Sequence, residues 1–194
     1  LDHDESAHAR FSASRALELN NPFKRLFDRS PQRFIKLLGI EREWSLVDFG
    51  CGPGFYTVPF AKVAQRVVAV DVQPEMLKKT ETYAKKAGVK VEFVESDGTR
   101  IFLPDESFDL VFLSLVYHEI ADKKKALSEF WRLLKPGGKV AIREKTSNTL
   151  LPIGPPVTSI EVIQSGLKNA GFSETYSLGK EQSIVVGVKP SKPT

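Results

Sequence analysis

Residues 47–55 read Val47-Asp48-Phe49-Gly50-Cys51-Gly52-Pro53-Gly54-Phe55. A short and mostly apolar run, Ser45 to Phe49, leads into the glycines, and a stretch suited to a helix, Phe55 to Ala64, follows them. Such a run fits a strand covered on both faces. Three glycines at alternate positions let the backbone turn tightly and let a ligand approach without a Cβ in the way. The helix behind the turn presents unpaired N–H groups to that ligand. The stretch specifies a strand–turn–helix unit with a binding site at the turn.

Working outward, the same alternation continues. Ser30-Pro31 opens a helix, with Ser as N-cap and Pro at the first helical position, and Gly39 ends it. Val67–Val70, Val89–Glu95, Phe108–Leu115 and Lys139–Arg143 read as further strands. Between them lie a helix over Pro74–Lys86, closed by Gly88, and one capped by Asp122 that ends at Pro136-Gly137-Gly138. Five strands alternating with helices build a parallel sheet with helices on both faces, an α/β doubly wound architecture. The tail differs. Thr158-Ser159-Ile160-Glu161 reads as a capping box for a last helix. Residues 172–178 and 183–188 then read as two strands around Gly179, an antiparallel hairpin.

The bulk properties narrow the classes. A chain of 194 residues with 41% apolar and 27% charged residues suits one globular domain. No apolar run reaches the roughly 18 residues of a membrane span, and the polar start is no secretory signal. The single cysteine, Cys51, cannot form an internal disulfide or a multi-thiolate zinc site; a cytoplasmic setting is expected. The net charge of +4 is dispersed, its longest basic run being Lys123-Lys124-Lys125. It would suit an acidic partner or, more simply, a solvated surface.

The glycine spacing selects the ligand. A dinucleotide fingerprint is Gly-x-Gly-x-x-Gly, whereas here Phe55 stands where the last glycine belongs. A phosphate-binding P-loop would need Gly-Lys-Ser/Thr, which is absent. Asp48 beside the loop would repel a pyrophosphate but suits a cationic amino group. Asp71, at the end of the second strand, stands where a carboxylate takes two ribose hydroxyls. Asp97, after the third strand, stands where an acceptor meets an adenine amino group. Amino acid, ribose and adenine together describe S-adenosylmethionine. Each residue also has a plainer role: Asp71 as a cap before Pro74, Asp97 as the start of a turn with Gly98, Cys51 as a small packing residue.

With these residues in hand, the sequence resembles the class I S-adenosylmethionine-dependent methyltransferases, in the broad group called type 11. Asp48-Phe49-Gly50-Cys51-Gly52-Pro53-Gly54 resembles their first motif, Asp71 their ribose-binding acid, Ser96-Asp97 their adenine-side motif, and Leu133-Leu134-Lys135-Pro136-Gly137-Gly138 the turn before their fifth strand. The resemblance implies a Rossmann-like seven-stranded sheet, mostly parallel, with an antiparallel C-terminal strand. It implies a domain over residues 40–194 preceded by an N-terminal helical or lid segment, 1–39. It also implies a cofactor shell of Asp48, Gly50, Cys51, Gly52, Gly54, Phe55, Asp71, Val72, Ser96, Asp97 and Ser114, S-adenosyl-L-homocysteine as product, and no metal.

Family geometry would place the methyl acceptor near Ser114-Leu115-Val116-Tyr117-His118-Glu119. Methyl transfer needs a base only when the acceptor must lose a proton. His118 has an ordinary pKa of about 6.5 and suits that task. Glu119 is placed to orient it and Tyr117 to line the pocket; alternatively, His118 packs at a helix start. Thr146–Val157, rich in Pro and Gly, is either a lid or a connector. An Asn/Asp-Pro-Pro-Tyr signature is missing after the fourth strand, so a small-molecule acceptor is expected by elimination. A protein or nucleic-acid acceptor, or a non-catalytic cofactor-binding module, stays open, as does the oligomeric state.

Overall fold

The computed structural model describes residues 30–145, 158–178 and 184–191. Its elements run α1 (Pro31–Leu38), β1 (Ser45–Phe49), α2 (Thr57–Ala61), β2 (Arg66–Asp71), α3 (Pro74–Ala87), β3 (Glu92–Glu95), β4 (Phe108–Ser114), a 3-10 turn (Tyr117–Glu119), α4 (Lys123–Leu133), β5 (Leu134–Arg143), α5 (Ile160–Asn169), β6 (Glu174–Leu178) and β7 (Ile184–Val188). The strands form one seven-stranded sheet in the order β3-β2-β1-β4-β5-β7-β6. β3, β2, β1, β4 and β5 pair in parallel, and β7 runs antiparallel to both β5 and β6. This is the expected α/β, Rossmann-like arrangement.

Alternation along the strands divides the core. Val47, Phe49, Val68, Val111, Leu113 and Val140 pack on one face with Phe130 of α4 and Leu167 of α5. Leu46, Val67, Leu110, Phe112 and Ala141 pack on the other with Phe34 of α1 and Phe60 of α2. Phe112, Phe34, Tyr56 and Phe60 cluster with ring centroids 5.0–6.0 Å apart, all edge-on except the tilted Tyr56–Phe60 pair. Phe34 is fully buried, so α1 packs into the core. Residues 1–29, the stretch 146–157 and the turn around Gly179 lie outside the described residues.

Several local expectations are corrected. Ser30 occupies the N-cap of α1, but its hydroxyl donates to Gln32 Oε1 at 2.6 Å instead of accepting a backbone N–H. The helix expected from Phe55 forms only over Thr57–Ala61, because Gly54 N–H still closes the glycine turn onto Cys51 O at 3.1 Å. β3 starts at Glu92, not Val89, since Val89 N–H bonds Ala84 O in the C-terminal wrap of α3 around left-handed Gly88. Ser159, not Thr158, caps α5 by accepting from Val162 N–H at 3.2 Å. β5 includes Pro136-Gly137-Gly138 and follows α4 without a loop. Gly138 allows this: a Cβ there would lie 2.9 Å from Lys135 O and 3.1 Å from Phe108 O. Lys189, 3% exposed, pins the junction by donating to Leu134 O at 2.8 Å and lying 3.9 Å from the Trp131 ring centroid.

Candidate methyltransferase site

The chain builds β1, β2 and β3 toward one edge, then crosses to place β4 and β5 on the other side of β1. The crevice at the strand C-termini between β1 and β4 is where ligands bind in open α/β sheets. The glycine loop leaves β1 at this point. Gly50, Gly52 and Gly54 have φ of +66°, +52° and +87°, a region that other residues rarely adopt. Gly50 and Cys51 N–H groups both reach Val70 O, at 2.7 and 3.1 Å, which ties the loop across to β2.

Two threonines and two acids fix the loop and the strand that leads into it. Asp71 accepts from Gly52 N–H and Gln73 N–H, each at 2.9 Å, through its two oxygens. Thr80 on α3 donates to Gly52 O at 2.6 Å, and its methyl group occupies the place a Gly54 Cβ would need. Thr57 donates to Asp48 Oδ2 at 2.5 Å. Burial pushes the Asp48 carboxyl from 3.8 up to about 7, the Thr57 hydrogen bond opposing this and the nearby Asp71 charge adding to it. Burial also raises Asp71 against its backbone hydrogen bonds. Cys51 is buried with Sγ 3.8 Å from Thr80 Oγ1, and burial pushes its thiol well up, which is the environment of an inert packing cysteine. Phe55 packs edge-on against Tyr56.

On the adenine side, Asp97 is exposed and its Oδ1 accepts both Thr99 N–H and Thr99 Oγ1–H, at 2.9 and 2.7 Å. These bonds hold the carboxyl below its ordinary value. Ser96 Oγ accepts from Gly98 N–H and donates to Arg100 O. The turn that was the alternative reading of Asp97 is thus present, and Gly98 seats it on the Phe49 ring. Val72, 40% exposed, offers apolar surface next to Asp71.

Beyond β4 the chain bends sharply. Leu115 takes φ +58°, uncommon and strained for a branched side chain, while its N–H bonds Arg143 O at 2.8 Å. Ser114 Oγ accepts from Arg143 Nη1 at 3.1 Å. The bend lays Val116 over Gly50 and leads into the 3-10 turn Tyr117–Glu119. Tyr117 turns away into the core with Leu127, Ile163 and Leu167, its ring capped by Lys123 Nζ at 5.6 Å. His118 Nδ1 lies 3.0 Å from Glu144 Oε2, and Nε2 lies 3.7 Å from Glu119 Oε1. The Glu144 hydrogen bond raises the His118 pKa, burial and Lys123 opposing. Burial raises Glu119, which also feels Asp71, so the His118 turn and the glycine loop share one electrostatic neighbourhood.

The sequence had not singled out Thr57, Thr80, Val116 or Glu144. Two left a trace. Thr80 interrupts the apolar stripe Met76–Thr80–Ala84 at helical spacing, and Glu144 follows the end of a parallel strand just as Asp71 ends β2.

These groups suit S-adenosylmethionine. A Cβ on Gly52 would meet nothing within 4 Å, so the backbone face of the loop is open. Burial raises the pKa values of Asp48, Asp71 and Glu119, and a cation brought among them would favour their ionised forms.

Comparison with known proteins agrees. Residues 47–142 match the family described as a methyltransferase domain. A SAM-dependent methyltransferase from Aquifex aeolicus is 30% identical with a TM-score of 0.78, over 92% of this chain and 97% of that one. A ubiquinone/menaquinone biosynthesis C-methyltransferase of Enterobacter sp. (strain 638) is 31% identical over 120 residues, 59% of this chain and 48% of the relative. This chain therefore spans about half the length of such curated relatives. The [4+2]-cyclase SpnF shares the fold, with a TM-score of 0.72 at 18% identity. The chain belongs to the class I S-adenosylmethionine-dependent methyltransferases. Among the described residues no helix is long and apolar enough to cross a membrane.

Proposed function

We propose that the enzyme methylates a small molecule whose accepting atom carries a proton, and that His118 removes that proton. The observation that carries this reading is the placement of His118. It sits on the turn beyond the C-terminal end of β4, held at Nδ1 by Glu144, with Nε2 turned toward Glu119. A thioether acceptor would need no such group. The similarity to a C-methyltransferase supports the same choice, since methylating carbon requires loss of a proton.

Bound S-adenosylmethionine supplies a methyl group made electrophilic by its sulfonium. The protein's part is to hold, orient and deprotonate. The glycine loop and Asp71 form the cofactor cradle, with Val72 beside the base and Asp48 close to the cationic end. Val116 closes the loop from the acceptor side and keeps water from it. His118 then needs only to meet the acceptor's proton.

The test is methyl transfer from isotopically labelled cofactor to a panel of phenols, quinols and other acidic-carbon compounds, with tRNA and a cell protein extract as contrasts. Labelling of a small molecule, lost in His118→Ala with cofactor affinity retained, is expected. Labelling confined to tRNA or protein overturns the small-molecule reading, and undiminished turnover in His118→Ala overturns the base.

A further inference from the structure

Glu144 lies just past the end of β5 and is 2% exposed. A carboxylate that deep is costly unless hydrogen-bonded or paired. It faces residue 118 three times: His118 N–H reaches Oε1 at 3.3 Å, and the ring Nδ1 lies 3.2 Å from Oε1 and 3.0 Å from Oε2. One carboxylate thus holds both the backbone of the 3-10 turn and the imidazole it carries. A carboxylate only accepts, so the ring nitrogen against it must donate.

We propose that Glu144 is a positioning residue: it keeps the proton of neutral His118 on Nδ1 and leaves Nε2 as the nitrogen that takes the acceptor's proton. The inference rests on His118 being the base. In that step the bond between the accepting atom and hydrogen breaks. Its electron pair stays on that atom for the new carbon bond, and the proton goes to Nε2. The imidazolium so formed lies against Glu144, whose negative charge stabilises it without itself taking the proton.

The charged groups around the ring come from three elements. Glu144, beyond β5, faces Nδ1. Glu119, on the turn itself, has Oε1 3.7 Å from Nε2. Lys123, at the start of α4, donates to Ile120 O at 2.8 Å and opposes protonation. The two acids outweigh the lysine, which strengthens His118 as a base and shifts its titration upward.

Nitrogen-15 NMR of histidine-labelled protein tests this without an acceptor. The chain has three histidines, His3, His8 and His118, and a His118→Gln variant assigns the signal. Above its titration midpoint, wild-type His118 should be the Nδ1–H tautomer; a dominant Nε2–H tautomer overturns the proposal. Glu144→Gln keeps the size and an accepting oxygen but loses the charge. It should lower the His118 midpoint by about one pH unit, and Glu144→Asp should restore part of it. An unchanged midpoint in folded Glu144→Gln means that Glu144 only pins the turn, and the proposal fails. Should Glu144→Gln not fold, the wild-type tautomer decides. Full turnover in His118→Ala would instead sink the base while leaving the tautomer result standing.

Discussion

A Cβ built on Gly50 would lie 2.4 Å from Val116 Cγ2. The loop after β1 and the turn after β4 therefore touch at a place where only a hydrogen atom fits. Gly50→Ala should abolish measurable cofactor binding, through this clash and through the φ of +66°. Val116→Ala removes the two Cγ contacts but leaves its own Cβ 2.9 Å away and leaves the backbone strain, so the double variant should recover only part of the affinity. Calorimetric titration with S-adenosylhomocysteine separates the two contributions; complete recovery would mean that sterics alone matter.

Asp71 holds the loop through Gly52 N–H, and its proposed second role is to hold the ligand. Asp71→Ala should weaken S-adenosylmethionine binding by about tenfold or more, roughly 1.4 kcal/mol, and should loosen the turn whose Gly52 N–H it accepts. Hydrogen exchange at Gly52 reports the second effect. Unchanged affinity would remove Asp71 from the cofactor site.

Asp48 couples binding to protons. Its carboxyl ionises near 7 in the folded protein and near 3.8 in an unfolded chain. The folded state therefore holds the proton more tightly, and Asp48 contributes stability below pH 4 that is lost as pH rises through about 7. Asp48→Asn should be more stable than wild type above neutrality, by up to about 4 kcal/mol, and equal to it in acid. The same variant should bind the cofactor less well. In wild type a cationic ligand favours the ionised acid, so binding at pH 7 should release protons. Calorimetry in buffers of different ionisation enthalpy measures that release, and its absence would place the ligand's charge elsewhere.

Lys189 offers a contrast, because its role is confined to the core. Lys189→Met keeps a long apolar side chain but drops the bond to Leu134 O, the ammonium over the Trp131 ring and the ion pair to Glu106 at 3.4 Å. A loss of about 1–3 kcal/mol in denaturant unfolding is expected, with cofactor affinity unaltered. A matching loss of affinity would show that the α4–β5 junction reaches the site.

The order of elements and the geometry of the glycine loop were legible because each rests on local signals: periodicity, caps, and glycines followed by an acid at a strand end. Asp48, the three loop glycines and Asp71 come together as their spacing implied. The element ends were less legible where three-dimensional contacts reassign backbone groups, as when Val89 is drawn into the wrap of α3 or when Gly138 lets β5 begin early. The acceptor side was only half legible. His118 stood out by its chemistry, but Tyr117 faces the core. The partner at Nδ1 is Glu144, 26 positions away, rather than adjacent Glu119. No local rule pairs residues that distant; the β4–β5 register does, by aligning Ser114 with Arg143.

The reversal of strand order at β1 also divides inheritance within the enzyme. Apart from Ser114 at the end of β4, everything proposed to grip the cofactor hangs from β1, β2 and β3, and everything proposed to act on the acceptor hangs from β4 and β5. The two meet at Gly50 and Val116. Mutational drift on the acceptor half can thus explore new substrates while the other half goes on supplying the same methyl donor, provided that the contacts between β1 and β4 and between Gly50 and Val116 are kept.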